Sequence, residues 1–125
     1  MDKNLPRYFI KIVRDGIKTK YKKGTECRIC DTEENLEFHH YKTVSILVNT
    51  WVAERGLTFD GLEDAQVARD EFNEANFYDM TENAVTLCKK HHEKLHSIYG
   101  AFPLLSTSEK QQRWVERMRE KNGLV

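Results

Sequence analysis

The spacing of the cysteines constrains the fold of this 125-residue chain more than any other feature. Two residues separate Cys27 from Cys30, and two separate Cys88 from His91. Short-spaced pairs of cysteine and histidine are typical of tetrahedral zinc sites. These four residues therefore predict a structural Zn²⁺ that ties together two distant segments of the chain. Because His91 and His92 are adjacent, either of them could supply the fourth ligand.

Composition points to a small protein that uses cysteine to bind metal. The length favours one domain over residues 1–125, and three cysteines are an odd number for a disulfide framework. The N-terminus carries charge in place of the apolar region of a signal peptide, and no apolar run approaches the length of a membrane span. We therefore expect a cytoplasmic protein with reduced thiols and no membrane partner.

Charge is unevenly distributed although the formal net charge is zero. Eight Lys/Arg against two Asp give residues 1–25 a net charge of +6, and eight against four Glu give residues 83–125 a net charge of +4. Between them, three Lys/Arg against thirteen Asp/Glu give residues 31–82 a net charge of −10. Because local potential attracts a polyanion, the basic ends are compatible with DNA binding. The same lysines could also be no more than solvated surface.

The pattern of apolar residues predicts an α+β fold in which two short strands precede a helix. Residues 36–41 begin with alternating apolar and polar positions, and residues 83–87 form a short apolar run. Each of these segments predicts a strand. Residues 89–99 predict a helix that Gly100 closes.

Between the strands, residues 43–80 predict a helical insertion. One helix is capped by Ser45 and ends near Gly56, and a second begins at Asp60 or Gly61. The acidic character of the insertion makes it unsuited to face DNA. It could bind a protein partner or shape the cleft, but a solvated helical hairpin that only packs is the simpler interpretation.

The two ends of the chain flank this core. Residues 1–24 form a basic segment with an apolar cluster at residues 8–13, which could be helix or strand. Residues 104–125 predict a C-terminal helix in which Ser108 and Gln111 have the spacing of a capping box.

All five histidines lie in two short segments, which is a pattern expected of a metal site. His39 and His40 are adjacent in the first predicted strand, so their side chains can serve two roles. His92 and His96 are four residues apart on the predicted helix, so both can bind one metal ion. Near neutral pH an imidazole can accept a proton from water, and a divalent cation can neutralise a phosphate. Together they would suffice for hydrolysis of a phosphodiester.

Three blocks of this sequence resemble the HNH endonuclease family. They are LEFHH at residues 36–40, ENAVTLC at residues 82–88 and HHEKLH at residues 91–96. The resemblance implies the ββα-metal fold of two strands and a helix around one catalytic metal, with the structural zinc found in many members. The length and the lysine-rich ends are similar to those of free-standing phage members, for which the location would be the host-cell cytoplasm.

The resemblance also implies a role for each motif residue. His39 and His92 would bind the catalytic metal, Mg²⁺ or Mn²⁺, with His96 as a possible third ligand. His40 would be the general base that activates water, and Asn83 would orient that base or its loop. The products would carry 5′-phosphate and 3′-hydroxyl ends. The family's usual fourth zinc cysteine is replaced here by a histidine, which zinc also accepts.

DNA contacts are expected from basic residues outside the motif. These candidates are Lys20, Lys22, Lys23, Lys89, Lys90, Lys94, Arg113 and Arg117. Two alternative functions remain open. The chain could be a zinc-binding module that binds DNA or protein without cutting, or a metallohydrolase that acts on a substrate other than nucleic acid. The histidine pair with Asn83 and His92 favours the nuclease. The sequence leaves oligomeric state, cleavage specificity and nicking versus double-strand cutting open.

Overall fold

The computed structural model describes residues 5–59 and 61–124, which form six α-helices and one two-stranded antiparallel sheet. The elements in chain order are α1 (Leu5–Asp15), β1 (Leu36–His40), α2 (Val44–Arg55), α3 (Leu62–Ala75), α4 (Phe77–Thr81), β2 (Ala84–Cys88), α5 (Lys89–Tyr99) and α6 (Ser108–Lys121). Short 3₁₀ turns occupy Lys18–Lys20 and Leu105–Thr107. The predicted α+β class, with two strands and a following helix, is confirmed.

The sheet and α5 form the unit that carries the predicted motif. β1 and β2 pair antiparallel with His39 opposite Val85 and Leu36 opposite Cys88. The Tyr41 amide donates to Asn83 O at 3.2 Å, which extends the pairing by one step beyond the strands. α5 begins directly after β2, so the end of the strand fixes the position of the first helical turn.

Two hydrophobic cores stabilise the fold, and the second of them includes residues of this unit. The first core is helical and joins α1 to the insertion. The second core packs the sheet, α5 and α6 around the cysteines. The first contains Phe9, Val13, Ile17, Val44, Val48, Trp51, Ala65, Ala68, Phe72 and Met80. The second contains Cys27, Ile29, Tyr41, Leu87, Cys88, Leu95, Trp114 and Val115.

The apolar cluster near the N-terminus is helical, with Phe9 and Val13 on the buried side, and Ile17 is buried just beyond the end of α1. In α3, Ala65, Ala68 and Phe72 face the same core, while its acidic side chains are exposed. The insertion therefore packs against α1, and its first residues, Thr43, Val44 and Ser45, also line the cavity described below. It also contains a helix, α4, that the sequence pattern did not predict.

Two predicted helix caps are wrong. α2 begins at Val44, and the hydroxyl of the preceding Thr43 donates to Pro103 O at 2.5 Å, so Ser45 does not cap it. At α6, Gln111 does not complete a capping box with Ser108, because its side chain points into the core. Asp60, one of the two proposed starts of α3, lies outside the described residues. Within the described residues, no helix is long and apolar enough to cross a membrane.

Candidate active site

Four sulfur and nitrogen atoms converge where the loop before β1 meets the start of α5. Cys30 Sγ lies 4.0 Å from Cys88 Sγ, and His91 Nδ1 lies 3.3 Å from Cys88 Sγ and 3.8 Å from Cys27 Sγ. All four ligand atoms are within 4.8 Å of one another. Tetrahedral zinc with bonds of about 2.0–2.3 Å requires ligand separations of about 3.3–3.8 Å. The cluster could therefore hold Zn²⁺.

The loop that contains Cys27 and Cys30 is shaped to stabilise the thiolate of Cys27. Asp31 adopts a left-handed backbone conformation, with φ of 60°, and its amide donates to Cys27 O. This turn directs the Ile29 amide at Cys27 Sγ, 3.4 Å away. Burial opposes ionisation of Cys27, but backbone N–H groups of Cys88, Cys30 and Ile29 outweigh it and lower the pKa of this thiol. A lowered pKa favours the metal-binding thiolate.

A second cluster brings together three histidines from β1 and α5. His39 Nδ1 lies 3.1 Å from His92 Nε2, which lies 3.0 Å from His96 Nε2. A helix places residues i and i+4 on one face, which aligns His92 with His96. The antiparallel sheet brings His39 beside them. Of the two adjacent histidines, the structure brings His91 to the cysteines and His92 to this cluster.

The outward nitrogen of each ring in this second cluster faces an acceptor. His92 Nδ1 lies 2.8 Å from Glu37 Oε1, and His96 Nδ1 lies 2.8 Å from Gly100 O. His39 Nε2 lies 2.7 Å from Gln111 Oε1. Because a carboxylate and two carbonyl oxygens can only accept, the outward nitrogens carry the protons. The three inward nitrogens are then unprotonated, and their lone pairs point toward one another.

Three converging lone pairs repel one another, and a bound cation would remove this repulsion. Burial, with the nearby His92 and His96, lowers the pKa of His39 to about 4, although its bond to Gln111 acts in the opposite direction. Protonation of His39 is therefore an unfavourable way to relieve the repulsion. A metal with nitrogen bonds of about 2.1 Å requires ligand separations of about 3.0–3.4 Å, which the observed distances match. The donor set can hold a divalent transition metal.

His40 lies on the other face of β1 but opens into the same cavity. The cavity has a volume of about 310 Å³ and is lined by His39, His40, His92 and His96 among others. His40 Nε2 donates to Met80 O at 2.8 Å, and the rings of Tyr21 and Phe38 meet it edge-on at 5.0 Å.

These contacts leave Nδ1 of His40 as a proton acceptor. Burial and the charge of Arg14 lower the pKa of His40, so the ring is neutral at pH 7. The arrangement supplies a base held in one orientation next to the histidine cluster.

Asn83 stabilises the turn before β2 through hydrogen bonds of its side chain. Its Nδ2 donates to Asp79 Oδ1 at 3.0 Å, and its Oδ1 accepts from Gln112 Nε2 at 2.9 Å. Its backbone carbonyl pairs with Tyr41, one residue beyond His40. Asn83 thus reaches His40 through the backbone, and it does not line the cavity.

The predicted DNA-binding cations are all exposed. None of Lys20, Lys22, Lys23, Lys89, Lys90, Lys94, Arg113 and Arg117 lines the cavity. The cation that does so is Arg14, at the C-terminal end of α1.

Sequence reasoning missed Arg14, and also Gln111, Glu37 and Gly100. Gln111 had a readable signal, because it is a polar residue on the apolar stripe that contains Trp114 and Val115.

The sequence matches the nicking endonuclease family named after phage T5 over residues 2–123, nearly the whole chain. No solved structure matches this chain.

Proposed function

This chain belongs to the nicking endonuclease family, and we propose that it cuts one strand of DNA by metal-dependent hydrolysis in the cavity between β1 and α5. Membership of that phage nuclease family makes it a DNA endonuclease. The finer assignment, an HNH-type enzyme with a single catalytic metal, is our proposal. The observation that supports it is the convergence of His39, His92 and His96 beside His40.

In this proposal His40 is the general base. Its Nε2–H is held by Met80 O, which leaves Nδ1 to take a proton from the attacking water. The water oxygen bonds to phosphorus as the bond to the 3′ oxygen breaks, and the leaving 3′ oxygen takes up a proton from solvent, which yields 5′-phosphate and 3′-hydroxyl ends. When bound, a divalent metal would neutralise charge on the phosphate and on the leaving oxygen.

His39, His92 and His96 would hold that metal. Imidazole nitrogen suits transition metals, whereas Mg²⁺ prefers an oxygen shell. Of the two ions expected from the sequence, the donor set therefore favours Mn²⁺. The Cys27, Cys30, Cys88 and His91 cluster would hold structural Zn²⁺, whose closed set of four ligands leaves no position for a substrate.

DNA would be held by exposed cations, of which Arg14 lines the cavity. Arg14 is suited to contact a phosphate, because its guanidinium lies at the cavity beside His40. The eight cations predicted from the sequence would contact phosphates farther away, which implies an affinity that falls steeply with salt.

Conversion of supercoiled plasmid to open circle tests this proposal. The wild-type protein, with Zn²⁺ retained, is incubated with Mg²⁺, Mn²⁺, Ni²⁺ or no added metal, and we expect open circles fastest with a transition metal. His40→Ala and His40→Gln should lose about 10²–10⁴-fold in rate, because a positioned base contributes that much. The glutamine variant keeps a donor within reach of Met80 O, and Thr50→Ala on the exposed side of α2 is the control.

Nicking near the wild-type rate by His40→Gln would exclude His40 as the base. Salt-sensitive DNA binding with no nicking under any metal would instead favour the non-catalytic zinc-binding module.

A further inference from the structure

The segment that follows α5 displays apolar side chains at the edge of the catalytic cavity. Phe102 is 68% exposed, and Leu104 is 66% exposed. Phe102 has the largest exposed fraction among the exposed large hydrophobic residues in the described part of the chain. Ala101, Phe102 and Pro103 also line the cavity that contains His39 and His40. Because Phe102 lines the same cavity as His39 and His40, a substrate held in that cavity would meet its ring.

Both sides of this segment are fixed by hydrogen bonds. Gly100 has a φ of 92°. Its carbonyl oxygen accepts a hydrogen bond from His96 Nδ1, and its amide donates to His96 O. On the other side, Pro103 is buried and its carbonyl accepts from Thr43. The phenyl ring of Phe102 is therefore carried on a short segment whose neighbours are held in place. Its exposure is a property of the fold and not of a loose loop.

Charge around the ring is compatible with nucleic acid. Residues 97–108 contain no charged side chain, so no carboxylate of this segment would repel a phosphate. A nucleotide whose phosphate enters the cavity must place its base near the cavity edge. The flat face of a base is the apolar surface that DNA offers there.

We infer that Phe102 stacks on or inserts between bases of the DNA next to the phosphate that is cut. Phenylalanine and leucine are among the side chains that unstack base steps in DNA-bending proteins. The inference rests on the proposed function, since it needs DNA in the cavity between β1 and α5. Its consequence is that Phe102 affects where the DNA is held, while His40 affects the chemistry.

The test uses a duplex that the wild-type protein nicks, labelled with 2-aminopurine at each position beside the nick in turn. The full-length protein in the His40→Gln background binds without cutting. We expect fluorescence to rise at one or two adjacent positions with Phe102 intact, and not with Phe102→Ala. Aromatic stacking on a base predicts about tenfold weaker binding for Phe102→Ala, with recovery in Phe102→Trp. Tyr78→Ala on α4 is the matched control, because Tyr78 is 63% exposed and does not line the cavity.

The outcomes separate the two proposals. Absence of nicking by the wild-type protein would refute the proposed function. Normal nicking by wild type, with Phe102→Ala and Tyr78→Ala equal in fluorescence and affinity, would refute the stacking of Phe102. A change of oligomeric state in Phe102→Ala by sedimentation, with unchanged 2-aminopurine fluorescence, would also refute it and assign the ring to self-association.

Discussion

Gln111 should control metal binding although it is not a ligand. Its Oε1 accepts from His39 Nε2 at 2.7 Å, and its Nε2 donates to Tyr41 O at 3.2 Å and to Thr107 Oγ1 at 3.0 Å. The side chain is fully buried, so water cannot replace it. The amide therefore fixes which nitrogen of His39 carries the proton and aims Nδ1 at His92.

Gln111→Leu removes these bonds while keeping a similar volume. It leaves the N–H of His39 and the carbonyl of Tyr41 without their partner in the core, and a buried polar group left unpaired costs about 1–3 kcal/mol. We expect the free energy of unfolding to fall by about 2–4 kcal/mol. Loss of such an outer partner of a metal-binding histidine should also weaken metal affinity about 10–100-fold.

A second variant separates positioning from stability. Gln111→Glu also loses the donor to Tyr41 O, but its carboxylate can still accept from His39 Nε2. Because it also buries a carboxylate, it should be destabilised at least as much as Gln111→Leu and yet retain Mn²⁺ affinity. Calorimetric titration of Mn²⁺ into each protein with Zn²⁺ retained, beside urea unfolding, measures both quantities; Gln66→Leu on the exposed side of α3 is the control. Wild-type Mn²⁺ affinity in Gln111→Leu, or equal loss in both variants, would refute this reasoning.

Three further predictions follow from the charges and ligands. Arg14→Gln should weaken DNA affinity and should reduce the slope of that affinity against salt by about one phosphate contact. Arg7 is on the same helix but does not line the cavity. Arg7→Gln should therefore not alter cleavage of a duplex in which neutral methylphosphonates flank the cut phosphate. Removing Zn²⁺ with a strong chelator should unfold the protein, as followed by circular dichroism, because the site would exist only in the folded chain; an unchanged melting curve would contradict it. With Zn²⁺ bound and no second metal, the free energy of unfolding should fall by up to about 3 kcal/mol as the pH drops from about 6.5 to 4. The reason is that His39 has a pKa of about 4 in the folded protein, so the unfolded chain takes up this proton first. His40 has the same sign, and urea unfolding at pH 7, 5.5 and 4.5 measures the sum.

The sequence predicted the parts of the fold in which local pattern and long-range packing agree. The helix over residues 89–99 was predicted with its bounds and with Gly100 at its end, because both periodicity and the glycine signal are local. The two strands were each placed to within one residue. The division of the cysteines and histidines into two clusters was predicted as well. Metal ligands often occur in pairs a few residues apart, and such spacing can be read directly from the sequence.

The partners of those ligands were not predicted, because they come from distant segments. Gln111 is 72 residues from His39, and its spacing to Ser108 fitted a local helix signal equally well. Arg14 is on a helix packed against the insertion, so its position at the cavity depends on how the helical core meets the sheet. A local capping pattern has no information on whether a side chain is required elsewhere. Tertiary hydrogen bonding decided the orientation of Gln111.

The two clusters are coupled through the first turn of α5. His91 and His92 are consecutive, and successive residues of a helix project about 100° apart, so one backbone segment directs one ring to the cysteines and the next to His39. Cys88 ends β2 immediately before this turn, and β2 pairs with the strand that carries His39. An ion bound by Cys27, Cys30, Cys88 and His91 would therefore fix both the start of α5 and its rotation about its own axis. The position of His92 relative to His39 would follow from it, which gives the first cluster a role in the geometry of the second without any part in the chemistry.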